Sequence, residues 1–173
     1  DAEWCDVFLH WADMTRPYAT KHAKTGKPIA LCFAGGEPIT RQTVLFDHIF
    51  VESQVYLDIY KEVGKSTSVA FGTNTDLFKP IEQVKVFDAI FPATFALWKR
   101  HELFAKATRG LNACAVGYMY EDHEQECWQV CIDEGSLVLP HVSAEVLHRL
   151  YAGSRTVVIP SLSSGGSQRT VLE

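Results

Sequence analysis

Residues 143–173 read SAEVLHRLYAGSRTVVIPSLSSGGSQRTVLE. Apolar residues at positions 146, 147, 150 and 151 share one face of a predicted helix, and Ser143 is placed to cap its start. The apolar run TVVI at 156–159 is typical of a buried strand, and a further helix is expected to begin near Gln168. Small residues between a buried strand and a helix let backbone N–H groups approach an anion. The loop SLSSGGSQ at 161–168 is therefore a candidate phosphate cradle, and a plain strand-to-helix loop stays open as the alternative.

The same alternation of short apolar runs and helical stretches extends upstream through the whole chain. Strands are predicted at residues 6–10, 29–33, 48–52, 66–71, 86–91, 111–116, 137–139 and 156–159. Helices are predicted at residues 17–24, 53–63, 98–107, 121–132 and 143–152. Continuous strands rich in Val, Ile and Phe, separated by helices, indicate parallel sheets covered on both faces. Ligands of such sheets bind beyond the carboxyl ends of the strands, so the loops after the strands are where chemistry is expected.

Residues 74–80 (NTDLFKP) resemble a linker, because the strand–helix pattern restarts after them. The predicted fold class is α/β, with two Rossmann-like parallel-sheet halves at residues 1–80 and 81–173. The chain starts and stops inside predicted elements, so we expect each half to be incomplete.

The composition of the chain argues against several classes of function. The chain has 173 residues and a net charge of -5, and its Lys and Arg form no run that could track a phosphate backbone, which argues against nucleic acid as a partner. No apolar stretch approaches the ~18–20 residues that cross a bilayer. Five cysteines, mostly in apolar runs, are typical of reduced thiols in a cytosolic protein, so a cytoplasmic location is expected.

One group of residues has the spacing of metal ligands. His123, Cys127 and Cys131 recur at intervals of four and share a helix face, but zinc would need a fourth ligand from elsewhere. A core-facing stripe of thiols is the favoured interpretation, and no metal is expected. The chain has neither a GxGxxG fingerprint nor a GxSxG nucleophile motif, which removes support for a nicotinamide enzyme or a serine hydrolase.

Taken together, the motifs resemble a known family. Residues 143–173 are similar to the nucleotide-binding segment of GT-B glycosyltransferases of the large retaining class, the group 1 family. Four upstream segments match that family in the same order: DVFLH at 6–10, TGKPIALCFAGG at 25–36, FDHIFVESQVYLDIYKEVG at 46–64 and VAFGTNTDLFKP at 69–80. The resemblance implies that residues 1–80 are the latter part of an acceptor-side domain, and that residues 81–173 are the first part of a nucleotide-sugar-binding domain.

The resemblance also implies an activity. A hexose would move from a UDP- or GDP-type sugar to an acceptor hydroxyl with retention of configuration, with no metal and no other cofactor. The departing phosphate would take the acceptor proton. The acceptor would be a glycan, a lipid or a small molecule, and an acceptor at a membrane surface stays open.

The donor site follows from the resemblance residue by residue. Glu173 matches the glutamate that holds the donor ribose, and Lys99 matches the lysine that contacts the donor diphosphate. Arg100, beside Lys99, completes the catalytic candidates. The donor-binding candidates are Thr94, Ser164, Gly165, Gly166 and Ser167. The acceptor-side candidates are His10, Gly35 and Gly36.

Three positions depart from the family pattern. Gly165 stands where the first family glutamate is expected, Thr94 replaces an arginine, and Ala34 replaces a histidine. Arg100 would restore the missing positive charge, and His10 would replace the histidine. The departures keep open a second function, a non-catalytic sugar- or nucleotide-binding module on the same fold. A third interpretation is a single doubly wound domain with a regulatory role, which requires both halves to share one sheet.

Overall fold

The computed structural model describes residues 4–11, 16–33, 45–62, 65–70, 72–119 and 125–162. The chain divides into two compact units, Asp1–Gly72 and Thr73–Glu173, and each is built on its own four-stranded parallel sheet. Two parallel α/β sheets confirm the predicted fold class, and the single-sheet interpretation is wrong for the strands described. In the described ranges, no helix is long and apolar enough to cross a bilayer.

The first unit places its strands in chain order, β1-β2-β3-β4. Its elements are β1 Phe8–Trp11, α1 Arg16–Ala23, β2 Ile29–Phe33, β3 His48–Val51, α2 Gln54–Glu62 and β4 Thr67–Val69. Its core contains Leu31, Ile49 and Val51 from the strands and Tyr60 from α2. Burial alternates along β1, because successive side chains of a strand point to opposite faces of the sheet.

The second unit has the strand order β7-β6-β5-β8. Its elements are β5 Phe87–Pro92, α3 His101–Ala107, β6 Ala113–Val116, α4 Gln125–Asp133, β7 Leu137–Leu139, α5 Ala144–Ala152 and β8 Ser154–Val157. Strands β5, β6 and β7 advance in one direction, and β8 then pairs with the opposite edge of β5. The strand order therefore reverses between β5 and β8, which is where open parallel sheets form a ligand crevice.

The boundary between the units falls at 72/73, earlier than the predicted boundary after residue 80. Residues 78 and 79 pack on α5, which belongs to the second unit. His148 Nε2 lies 2.7 Å from the Lys79 carbonyl oxygen, and the Phe78 ring packs edge-on against Tyr151. The predicted linker is therefore anchored to the second unit, an anchorage that sequence composition does not reveal.

One predicted helix begins differently from the expectation of 98–107. A 3-10 turn covers Leu97–Lys99, Arg100 adopts the left-handed region at φ 61°, and α3 begins only at His101. The prediction was wrong at its start because helical periodicity carries no information about a single left-handed residue.

The thiol stripe predicted on α4 is confirmed for its two described members. Cys127 and Cys131 lie in the core of the second unit with Phe95 and Phe104, while His123 lies outside the described residues. Burial raises the pKa of Cys131 to about 12, so this thiol stays protonated and is a poor metal ligand or nucleophile. The part of the chain that the structure describes contains no group of three metal-ligating side chains.

Candidate functional site

The loop after β5, residues 93–100, lies beside the strand reversal, where open parallel sheets bind ligands. Its first half continues the parallel pairing beyond the strand: Ala93 N donates to the Val116 carbonyl at 3.0 Å, and Phe95 N donates to the Tyr118 carbonyl at 2.8 Å. Thr94 lies between these two bonds and is half-buried. The backbone at Thr94 is therefore held from both sides, which is what a preorganised binding loop requires.

Gly117 makes this pairing sterically feasible. A Cβ atom at Gly117 would lie 1.9 Å from the Ala93 carbonyl oxygen, closer than any real contact. Any larger residue at 117 would therefore push the loop that carries Thr94 away from β6. Gly117 is not among the residues predicted for the site, although a glycine directly after the buried strand Ala113–Val116 is a signal for it.

The second half of the loop is a tight turn that carries two cations. Lys99 N donates to the Ala96 carbonyl at 2.9 Å, and Arg100 N donates to the Leu97 carbonyl at 3.0 Å. Arg100 then takes the left-handed conformation, with φ 61° and ψ 51°, which costs roughly 1–2 kcal/mol for a residue with a Cβ. Strained backbone of this kind concentrates at binding and catalytic sites. Lys99 and Arg100 are both half-buried at the carboxyl end of the sheet.

The loop after β8 lies on the other side of the strand reversal and contacts the same turn. Val158 N donates to the Ile90 carbonyl at 2.9 Å, which extends the β5–β8 pairing. Leu162 N then donates to the Trp98 carbonyl at 3.0 Å. This bond joins the two loops one residue away from Lys99. The described part of the loop after β8 therefore ends, at Leu162, beside the turn that carries the two cations.

The structure brings Thr94, Lys99 and Arg100 together on one loop. Several other predicted site residues lie outside the described ranges: Gly35, Gly36, Ser164, Gly165, Gly166, Ser167 and Glu173.

His101, which is not among the residues predicted for the site, lies on the core side of this loop. The side chain is fully buried, with its ring stacked on Phe95 at a centroid distance of 4.6 Å and against Phe91 at 4.7 Å. Neither ring nitrogen has a hydrogen-bond partner among the described residues. An unpaired buried polar group of this kind costs about 1–3 kcal/mol.

The environment of His101 keeps the imidazole neutral. Burial lowers its pKa to about 4, and the positive charge of Lys99 acts in the same direction. The Ala96 carbonyl opposes this shift, although its approach to the ring does not reach hydrogen-bond geometry. His101 directly follows the turn that carries Lys99 and Arg100 in the chain.

His10, the acceptor-side candidate, belongs to β1 of the first unit, and its side chain packs against α1. The side chain is 4% exposed, and its Nε2 lies 3.3 Å from Nδ1 of His22. The ring also meets Phe46 edge-on. Burial lowers the pKa of His10, and His22 adds to the shift. The ring of His10 is buried against His22 and Phe46, and its role in acceptor binding stays a prediction.

Comparison with known proteins gives a match at the level of the fold. No protein-family model matches the chain, and no curated protein matches it. A solved structure matches with a TM-score of 0.55 over 91% of this chain: an alpha,alpha-trehalose-phosphate synthase (UDP-forming) from Burkholderia vietnamiensis, at 10% identity. The fold is GT-B-like. The chain spans about half of that structure, 52% of its length, and at this identity the likeness establishes the fold alone.

Proposed function

We propose that this chain is part of a glycosyltransferase that moves a hexose from a nucleoside-diphosphate sugar to an acceptor hydroxyl with retention. The crevice at the β5–β8 reversal would hold the donor. The observation that supports the proposal is the hydrogen bond from Leu162 N to the Trp98 carbonyl, which joins the loop after β8 to the turn that carries Lys99 and Arg100. The GT-B-like fold supports it.

The charges of the turn suit a diphosphate leaving group. Negative charge develops on the diphosphate as the glycosidic bond breaks, and fixed cations stabilise it. One preorganised donor of this kind can contribute ~3 kcal/mol to transition-state stabilisation. Lys99 would supply a compact charge, and Arg100 a planar fork that bonds two phosphate oxygens at once. Within the described residues Arg100 forms no ion pair.

The remaining roles are carried by the family resemblance. The nucleotide-sugar would accept hydrogen bonds from backbone N–H groups and hydroxyls of Ser164, Gly165, Gly166 and Ser167. Glu173 would accept hydrogen bonds from the ribose diol. No metal would be needed, because the departing phosphate takes the acceptor proton. The acceptor, a glycan, a lipid or a small molecule, would bind on the side of His10, Gly35 and Gly36. We place the protein in the cytosol, on the ground that its thiols lie in apolar runs.

A non-catalytic sugar- or nucleotide-binding module is the second candidate. Thr94 favours it, because a short neutral side chain stands where the family has an arginine, on a backbone that Gly117 holds in place. Gly165, in place of a glutamate, adds to this argument. Such a module would bind the donor and leave it intact.

Titration calorimetry with UDP, GDP and ADP tests the site. We expect Lys99→Ala to weaken the tightest of the three complexes about tenfold or more, because a charged partner of the diphosphate is lost. Lys106→Ala is the matched control: Lys106 is an exposed lysine of α3, and its loss should leave the dissociation constant unchanged. Equal binding by Lys99→Ala and wild type would remove Lys99 from the site.

A donor-hydrolysis assay separates the two functions. Slow release of the free nucleoside diphosphate from UDP- or GDP-sugars, with the complete protein, supports the glycosyltransferase. Donor binding without any turnover supports the binding module.

A further inference from the structure

Arg100 and His101 are adjacent, and each has an energetically unfavourable feature that a single substitution would remove. Arg100 occupies a left-handed backbone conformation that glycine would adopt without strain. His101 buries an imidazole whose two ring nitrogens are unpaired among the described residues, and phenylalanine would fill similar space without a polar group. Unfavourable features of this kind cluster where function requires them.

The position of the imidazole limits what it can contact. Its ring stacks on Phe95, whose backbone N–H is held by Tyr118. Its charge environment includes Lys99, and the Ala96 carbonyl lies nearby. The ring therefore packs directly against the loop that carries the cations, on the side away from solvent. Only a shift of the 97–100 turn would bring a ring nitrogen to a ligand in the crevice.

We propose that His101 is a binding residue for the donor diphosphate: the 97–100 turn shifts when a nucleoside diphosphate enters, and the imidazole then donates a hydrogen bond to a phosphate oxygen. This inference rests on the proposed function. The neutral imidazole has one N–H to donate, so the contact forms without any proton transfer. With Lys99 and Arg100, three consecutive residues then supply donors to one anion.

Simple packing is the competing explanation, and it makes a different forecast. If His101 only fills the space between Phe91 and Phe95, then phenylalanine should replace it with no effect on ligand binding. If a ring nitrogen binds phosphate, then the His101→Phe variant should fold well and bind the diphosphate poorly. Glutamine, which keeps an N–H donor, should recover part of the affinity.

The test is calorimetry of wild type, His101→Phe and His101→Gln with whichever of UDP, GDP and ADP binds the wild-type chain most tightly. We expect His101→Phe to keep or raise the melting temperature and to weaken diphosphate binding about tenfold or more. The affinity of His101→Gln should lie between those of His101→Phe and wild type. His148→Phe is the matched control, because His148 lies in the same unit and bonds the Lys79 carbonyl; its affinity should equal that of wild type.

A measurement on the wild-type protein covers the case in which the variants fail to fold. The nitrogen resonances of the His101 ring should shift when the same diphosphate is added, because one ring N–H gains an acceptor. Wild-type binding with unaltered His101 resonances, or with equal affinity in a folded His101→Phe, overturns the inference and leaves the proposed function intact. Absence of any diphosphate binding by wild type overturns the proposed function itself, and the inference with it.

Discussion

Arg100 combines a strained backbone with a proposed role in binding. Its left-handed backbone is unfavourable for any side chain with a Cβ, and its guanidinium is half-buried at the carboxyl end of the sheet. Arg100→Gly removes the strain and the charge together. We expect the free energy of unfolding, measured by urea denaturation, to stay within about 1 kcal/mol of wild type or to rise. We expect nucleotide affinity, measured by calorimetry, to fall. A loss of stability well beyond that range would show that the side chain is structural.

His101 gives the protein a calculable sensitivity to acid. Its pKa is 6.5 in an exposed chain and about 4 when folded, so below pH 6.5 the unfolded state binds a proton that the folded state refuses. Stability contributed by the neutral ring is full above pH 6.5 and is lost as the pH falls toward 4. At 1.36 kcal/mol for each pKa unit, the loss is about 3 kcal/mol.

Urea denaturation at pH 7 and at pH 4 tests this sensitivity. Wild type should lose about 3 kcal/mol more than His101→Phe between the two conditions, because the variant has no proton to bind at this position. Other acid-sensitive groups affect both proteins equally and cancel in the difference. An equal loss in both proteins would mean that His101 is not buried neutral.

The charged residues of the candidate site were predicted from the sequence, and its buried residues were not. Lys99 and Arg100 were identified through their place in the motif, because charge and order are readable from the sequence. His101 and Gly117 were not identified, because their importance depends on which atoms pack against them. The break at Arg100 decides where His101 points, and no propensity forecasts a left-handed arginine.

At the scale of elements, the close approach of the β5 loop to Gly117 is the most demanding feature. Gly117→Ala places a methyl group against the Ala93 carbonyl, so the loop after β5 must move. We expect a loss of about 2–3 kcal/mol in unfolding free energy and weaker nucleotide binding, because Lys99 follows the displaced loop. Calorimetry and urea denaturation measure the two effects. Gly72→Ala is the control, because a Cβ there meets nothing within 4 Å, and a similar penalty in both variants would contradict the steric argument.

Most strands could be predicted from the sequence, and the turns between them could not. The run IALCF predicted β2 at its observed bounds, Ile29–Phe33, because a strand buried on both faces is continuously apolar. Ser143 was predicted as a cap, and its hydroxyl accepts a bond from Val146 N. The 97–100 turn and the anchoring of residues 78 and 79 on α5 depend on tertiary contacts, which periodicity does not contain.

At the scale of the whole molecule, the two sheets differ in one respect that matters for function. Among the described strands, the first unit runs in simple chain order, and the second contains a reversal between β5 and β8. Open parallel sheets bind ligands at such a reversal, so under the proposed function the nucleotide would bind to the second unit. The alternation of strands and helices predicted two such halves, while the strand order, which sets the position of the crevice, came only from the structure.

Mapping backbone amide shifts during titration with UDP, GDP and ADP tests the central claim most directly, because it reports both binding and its location. The account predicts that at least one diphosphate binds, and that the largest changes fall on residues 93–101, on Gly117 and its neighbours, and on residues 158–162. Binding mapped to the first unit, or no change with any of the three, would contradict it.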